Sequence, residues 1–239
     1  MTPLTGPLAL RHGFFTRVGG ISTGQYASLN CSVSGGDDPA TVAINRDRVR
    51  QYLQATLLVG VNQVHGAVVA TVTGAWDGPS PQADAMVTTV PGVALGVVTA
   101  DCTPVLLAGN GVIGAVHAGW RGAVAGVLEA TVAAMQALCP GPVTAVIGPC
   151  IRQPSYEVSA DLRDAVLAHN RAHEQFFATG RPGRWQFDLA GYCAARLAGT
   201  TTTILNADTA AEPDRFWSHR RRTLAGGGPI GHQISAIVL

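Results

Sequence analysis

The sequence predicts a single α/β (α+β) domain in which mixed β-sheets are layered with helices. With 239 residues, 47% hydrophobic and only 13% charged, the chain can bury a large core and has little charge left for disordered tails. Short runs rich in Val, Leu and Thr, each closed by a Pro or Gly turn signal, read as buried strands. Strands outnumber helices and arrive partly in runs, which favours mixed sheets covered by helices over a strictly alternating parallel fold. No linker, low-complexity tract or repeat divides the chain, so residues 1–239 are expected to form one domain.

The first helix opens at Asp38-Pro39, an N-cap acid followed by proline at the first helical position, and runs through Val42, Val49 and Leu53. Continuing that stripe places Asn45 or Arg46 on the inward side. An arginine there is either a rim residue snorkelling out or a buried cation awaiting an anion. Strand-like runs follow at 67–73, 85–89, 93–99, 104–108 and 112–117. From Ala85 to Val116 the only charge is Asp101, yet Pro91-Gly92, Pro104 and Gly109-Asn110-Gly111 break the stretch into pieces too short to span a membrane. A core helix is expected from about Arg121 to Leu138, its stripe being Val124, Leu128, Thr131, Met135 and Leu138. A strand at 143–147, helices capped by Ser159 and Asp188, and strands near 201–205 and 233–238 complete the pattern.

Sixteen basic residues against 15 acidic ones provide no field to recruit nucleic acid or an anionic membrane. The start, MTPLTGPLAL, lacks the basic and apolar regions of a secretory signal, so a cytoplasmic protein is expected. The cysteines at 31, 102, 139, 150 and 193 are odd in number and show no CxxC spacing, which reads as reduced thiols. Cys139 and Cys193 read as small buried hydrophobes.

Three segments place a polar, ligand-capable residue at the edge of an apolar run: Asn62-Gln63-Val64-His65-Gly66, Ala100-Asp101-Cys102, and Ala115 to Gly122 around His117. If 104–108 and 112–117 form a hairpin closed by Asn110-Gly111, residue 117 pairs with 104 and Cys102 is its diagonal neighbour; if Gly109-Asn110 is the turn, 102 and 117 face each other directly. Either register lets thiol and imidazole converge, whereas a three-residue loop would separate them. A converging Cys and His can bind metal, with His65 completing a His2Cys set that leaves one position open. Alternatively, Cys102 is a nucleophile deprotonated by His117, with Asp101 as a possible orienter that strand parity turns to the opposite face.

These residues belong to a longer ordered set: Gly13 to Ser22, Ser28-Leu29-Asn30, Gly36-Asp37-Asp38, Asn45-Arg46, Gln63-Val64-His65-Gly66, Ala83-Asp84-Ala85, Ala100 to Pro104, Val116 to Gly122, Ile147 to Ile151 and Tyr156-Glu157-Val158. Through them almost the whole chain resembles the laccase-domain family, also called polyphenol-oxidase-like or peptidoglycan-editing factor, whose members include purine nucleoside phosphorylases with adenosine deaminase activity. The resemblance implies zinc on His65, Cys102 and His117, with Arg46 binding an anion, and so decides between the two readings of Arg46. Arg46, Cys102 and His117 are the expected catalytic residues, and Asn45, Gln63, Asp84 and Arg121 the further substrate-binding candidates. Ser34, His219 and His232 depart from the family's frequent histidine, tyrosine and arginine.

The implied partners are phosphate and purine nucleosides: adenosine, inosine, guanosine and methylthioadenosine. An open metal would acidify water to attack C6 of adenine, and phosphate on Arg46 would attack C1′ of the ribose. The rival enzyme is a Cys-His amide hydrolase editing peptidoglycan precursors. Copper is the less favoured metal, because a multicopper centre needs more than the seven histidines present and only Met86 could serve as an axial ligand in a blue-copper site. A non-enzymatic metal-binding protein would leave an arginine beside the site idle.

Overall fold

Residues 1–239 are described by a computed structural model. In chain order the elements are β1 (His12–Phe14), α1 (Pro39–Leu53), β2 (Leu57–Val59), β3 (Val69–Thr71), β4 (Ala85–Thr88), β5 (Val93–Thr99), β6 (Thr103–Ala108) and β7 (Ile113–Ala118). There follow α2 (Trp120–Ala125), α3 (Val127–Leu138), β8 (Thr144–Ile147), β9 (Glu157–Val158), α4 (Ala160–His169), β10 (Phe177–Thr179), β11 (Trp185–Phe187) and α5 (Leu189–Arg196). The chain ends with β12 (Thr201–Ile204), α6 (His219–Leu224) and β13 (Gln233–Val238). A six-stranded sheet runs β12-β8-β6-β7-β4-β3, a four-stranded one β1-β13-β5-β2, and a small one β10-β11-β9. Parallel and antiparallel pairs both occur, so the expected mixed sheets are present.

Alternating side chains sort these elements into layers. Phe14, Leu95, Val97, Leu106, Ile113 and Ile237 pack together between the two large sheets. On the far side of the six-stranded sheet, Val105 and Val116 pack with Leu128 of α3, Val166 of α4 and Tyr192 of α5. On the far side of the four-stranded sheet, Ala94, Ile234 and Ala236 pack with Val49 and Leu53 of α1. Because Ile113 and Ala115 of β7 face the gap between the sheets, strand parity aims His117 at the end of that same gap.

The β6–β7 hairpin settles which turn the chain uses. Pro104 pairs with His117 and Ala108 with Ile113, and the Gly109 N–H donates to the Val112 carbonyl at 2.8 Å. Asn110-Gly111 is therefore the two-residue turn, with Gly111 at φ +71°. The helix expected over 121–138 is two helices, because Gly126 adopts φ +94° and ends α2 while opening α3. The break lets Val127 join Leu128, Thr131 and Met135 on the buried face, while Leu138 lies 40% exposed. No helix is long and apolar enough to cross a membrane.

Helix α1 starts as the sequence indicates, with the Asp38 carboxylate accepting from the Thr41 N–H. Its inward polar residue is Asn45, fully buried. The Asn45 Oδ1 accepts from the Ile21 N–H at 2.9 Å, and its Nδ2 donates to Ser22 Oγ and to the Ser28 and Asn30 carbonyls. These bonds tie the N-terminal segment to the four-stranded layer and place Asn45, expected among the substrate-binding residues, in the interior and outside the lining of the cleft described below. Asn45→Ala strands those backbone groups without partners in the interior. It is expected to lower unfolding free energy by about 2–4 kcal/mol in a chemical denaturation. A loss under half a kilocalorie, on the order of a surface substitution, would remove this role.

Candidate functional site

The site is organised by Asp84, the residue before β4, whose side chain is fully buried. Its Oδ2 accepts from the N–H groups of Val64 (3.2 Å) and Gly66 (2.6 Å), and its Oδ1 from the His65 N–H (2.9 Å) and His117 Nδ1 (2.8 Å). Successive amides wrapped around one carboxylate form an anion nest. This nest holds His65 at φ +61°, a backbone conformation that non-glycine residues rarely adopt. Burial alone would raise the Asp84 carboxyl, yet the hydrogen bonds from His117, Gly66 and His65 hold it below the ordinary carboxylate range. With Nδ1 of His117 committed to Asp84, its Nε2 is left for a ligand.

Two glycines let the surrounding backbone close in. A Cβ on Gly119 would meet His65 Cδ2 at 2.9 Å and Cys102 Sγ at 3.1 Å, and one on Gly122 would meet the Gly66 carbonyl oxygen at 2.7 Å. Cys102 is placed by Asp101, which sits at φ +94° just before β6. The Asp101 carboxylate accepts from Thr209 Oγ1, Ser218 Oγ and the Arg220 N–H, so it anchors the segment entering α6 and does not orient His117.

The donor atoms of His65, Cys102 and His117 lie within 4.8 Å of one another. Cys102 Sγ is 3.8 Å from His65 Nε2, and the two imidazoles meet edge to face at 4.7 Å between centroids. Two imidazoles and a thiolate form a borderline-soft set that suits a tetrahedral ion with one position open, and bonds of about 2.0–2.3 Å would draw the three donors inward. Burial would raise the Cys102 thiol, but the charge and hydrogen bond of His117, followed by those of His65, pull it down to about 6. Burial would lower His117, but the Cys102 thiolate and the Asp84 hydrogen bond push it up to about 9. Each group thus favours the charged form of the other, a thiolate beside an imidazolium.

The triad forms part of the wall of a cleft of about 560 Å³. Arg121, expected at the substrate, lines its mouth from the first turn of α2. Gln63 also lines it, but its amide is spent on Val98, donating to the carbonyl and accepting from the N–H. Asp84, also expected at the substrate, stands behind His117 rather than at the cleft surface, with its carboxylate bonded to the His117 ring. Arg46 does not line this cleft: its guanidinium donates to the Cys31 carbonyl at 3.2 Å and borders a separate hollow with Val33, Arg50 and Leu58. Ser34, His219 and His232 all line the cleft, so the three departures fall where a ligand would lie. Burial lowers both histidines, and His232 falls to about 4 under the added influence of His117. Sequence reasoning missed Tyr156 and Arg220 on the wall, although Tyr156 opens the Tyr156-Glu157-Val158 motif that carries the resemblance and Arg220 directly follows the departure at His219.

Comparison with known proteins fits this arrangement. A family model described as multi-copper polyphenol oxidoreductase laccase matches residues 11–239. A Streptomyces griseus protein named purine nucleoside phosphorylase ORF3 is 40% identical, the match covering 92% of each chain. One named purine nucleoside phosphorylase in Deinococcus radiodurans is 41% identical over 90% of this chain and 85% of its own. Among solved structures, a Neisseria meningitidis protein superposes with a TM-score of 0.89 at 34% identity, covering 100% of this chain and 98% of that one. The hypothetical protein YfiH of Bacillus licheniformis gives a TM-score of 0.88 at 27% identity, covering 95% and 92%.

Asp84→Asn would turn an acceptor into a part-donor facing several N–H groups, releasing the 64–66 loop and the His117 ring. Zinc affinity is expected to fall by roughly 10–100-fold, measured by competition with a chelating dye. In the wild type the imidazolium proton must leave before a metal can bind. Zinc affinity should therefore weaken by at least about tenfold per unit as pH falls below 9, and more steeply below 6 where Cys102 is protonated too. A flat profile across that window would contradict the ion pair.

Proposed function

The chain belongs to the multi-copper polyphenol oxidoreductase laccase family, and on that premise we propose that it is a zinc-dependent purine nucleoside phosphorylase with adenosine deaminase activity. The observation that carries the reading is the convergence of His65, Cys102 and His117 in one cleft. The names of its 40% and 41% identical relatives point to phosphorolysis. Adenosine, inosine, guanosine and methylthioadenosine are the substrates proposed, with phosphate as the second reactant.

Zinc held by His65, Cys102 and His117 would supply Lewis acidity, lowering the pKa of a coordinated water toward about 7. The chain's own part is to orient. Asp84 fixes the His117 tautomer, and Gly119 lets the thiol and the His65 ring close on one point. In phosphorolysis the phosphate oxygen forms a bond to C1′ as the bond from C1′ to the purine nitrogen breaks, a step that rewards alignment and charge stabilisation. In deamination water adds at C6 and ammonia leaves. Arg46 enters as a positioning residue that holds the Cys31 carbonyl, next in the chain to Ser32, which lines the cleft with Ser34 and Gly35.

Copper chemistry fits the donors less well. Met86, the sole candidate axial ligand, is fully buried between the sheets, and His12 is engaged with the Gly6 N–H and the Leu10 carbonyl. A second reading has an observation of its own. The Cys102 thiol lowered to about 6 beside His117 is also the state of an activated nucleophile, which would suit an amide hydrolase acting on peptidoglycan precursors.

Protein purified without added metal is expected to carry close to one zinc per chain, and to convert adenosine and phosphate to adenine and ribose 1-phosphate while releasing ammonia from adenosine in parallel. A chelator should abolish both reactions and zinc restore them. Cys102→Ala should lose metal and activity together, and alkylation of Cys102 should be slow with metal bound and fast after stripping. Full activity in chelator with rapid alkylation of untreated protein would overturn the zinc site in favour of a metal-free Cys102–His117 dyad.

A further inference from the structure

The mouth of the cleft holds two guanidiniums that the fold leaves uncompensated. Arg50, Arg163, Arg181, Arg196 and Arg215 each pair with a carboxylate. Arg121 has no such partner: it is exposed and stacks over the Trp120 ring at 4.4 Å. Arg220 has none either, but it is held in place. Its guanidinium lies 5.5 Å over the Tyr156 ring, one nitrogen donates to the Glu157 carbonyl at 2.7 Å, and its backbone N–H is fixed on Asp101. The remaining guanidinium N–H groups have no acceptor in the chain.

Tyr156 lies on the same wall, its hydroxyl has no hydrogen-bond partner in the chain, and burial keeps the phenol protonated and able to donate. Asp101 is the only carboxylate lining the cleft, and both of its oxygens are already taken. Guanidiniums stay charged at any physiological pH, and their planar forks match the oxygens of a phosphate group. One anchored guanidinium, a second that rests on an aromatic ring and a phenol donor, with no free carboxylate among them on the same cleft, therefore suit a tetrahedral dianion. Arg46 is not placed to compete, since it borders the other hollow.

We propose that Arg121, Arg220 and Tyr156 form a phosphate-group subsite beside the His65–Cys102–His117 cluster in this chain. The proposal rests on the phosphorylase reading for its preferred occupant, inorganic phosphate as co-substrate, but the same chemistry would also take the phosphate of a nucleotide. In a phosphorylase the two guanidiniums would hold the nucleophile beside the nucleoside and offset charge on its outer oxygens as C1′ is attacked.

The test uses the zinc-loaded protein and the variants R121Q, R121K, R220Q and Y156F. Binding of inorganic phosphate is followed by broadening of its 31P resonance, binding of adenosine 5′-monophosphate by calorimetry, and the phosphate dependence of nucleoside turnover is measured alongside. The wild type should bind inorganic phosphate, and R121Q and R220Q should each raise its Kd and its KM by roughly ten- to hundredfold at unchanged zinc content and thermal midpoint. R121K, keeping charge without the fork, should fall between, and Y156F should show a smaller loss. Arg121 is exposed and bonds to no backbone group, so R121Q remains decisive even if R220Q disturbs the fold. Binding of the monophosphate but not of inorganic phosphate, lost in R121Q, would uphold the subsite while overturning phosphorolysis. Binding of both ligands that is indifferent to R121Q and R220Q, or of neither by the wild type, would overturn the subsite, whether or not nucleosides are turned over.

Discussion

One buried carboxylate sets the geometry on which the site depends. Asp84 is withdrawn from water, and an uncompensated charge there would cost several kilocalories. Its compensation is complete: three successive backbone N–H groups and the His117 imidazole donate to it. Those donors come from two distant stretches of chain, the loop after β2 and the end of β7, so satisfying one charge brings both histidines together. The sheet makes this possible. Ala85 pairs with Val116, which puts Asp84 beside His117, and the His117 N–H also donates to the Asp84 carbonyl. A one-residue slip of β4 against β7 would turn the carboxylate to the other face and dismantle the cluster.

The same sheet geometry explains why there is a cleft. The space between the two large sheets is filled by apolar side chains along most of its length, and His117 continues that row to where the sheets end. Polar residues there would be unsatisfied in a closed core, so the fold surrounds them with segments that can approach closely. Gly119 and Gly122 admit the His65 loop from one side, and Asp101 brings the segment of Ser218 and Arg220 over the other. Binding residues on such connecting segments, supported by rigid strands, are the common arrangement for a functional site.

Much of this could be read from the sequence because it rested on local signals. The Asn110-Gly111 turn, the Asp38-Pro39 cap and the short apolar runs of β5 to β7, closed by turn signals, are each decided by a few adjacent residues. His65, Cys102 and His117 stood out as ligand-capable groups at the ends of apolar runs, and the hairpin register brings two of them together. What stayed hidden depends on long-range partners. Asp84 reads as one polar residue before a strand until its donors at 64–66 and 117 are in view. Asn45 and Arg46 are neighbours on one helix turn, and periodicity could not say which of them would meet the N-terminal segment. Arg220 and Tyr156 face each other only after β9 and α6 have folded against the same wall. The break at Gly126 shows the opposite failure: an apolar stripe that ran through a glycine looked continuous, while the backbone there had turned left-handed.

The thiolate and imidazolium of Cys102 and His117 serve a metal site and a cysteine nucleophile equally well, so that pair alone does not decide between them. His65 does. A nucleophile and its base need one imidazole with an orienting carboxylate, and His117 with Asp84 already supplies both. The chain nevertheless brings in a second imidazole, holds its backbone at φ +61° at a cost on the order of 1–2 kcal/mol, and keeps glycine at 119 where a methyl group would press on that ring and on the thiol. Strain of that kind persists only where surrounding structure fixes it, and here the fixing group is the same carboxylate that orients His117. A fold that commits one buried charge to aiming two imidazoles and clears the backbone for a thiol has the form of a three-donor centre, and the dyad leaves the placement of His65 without a purpose.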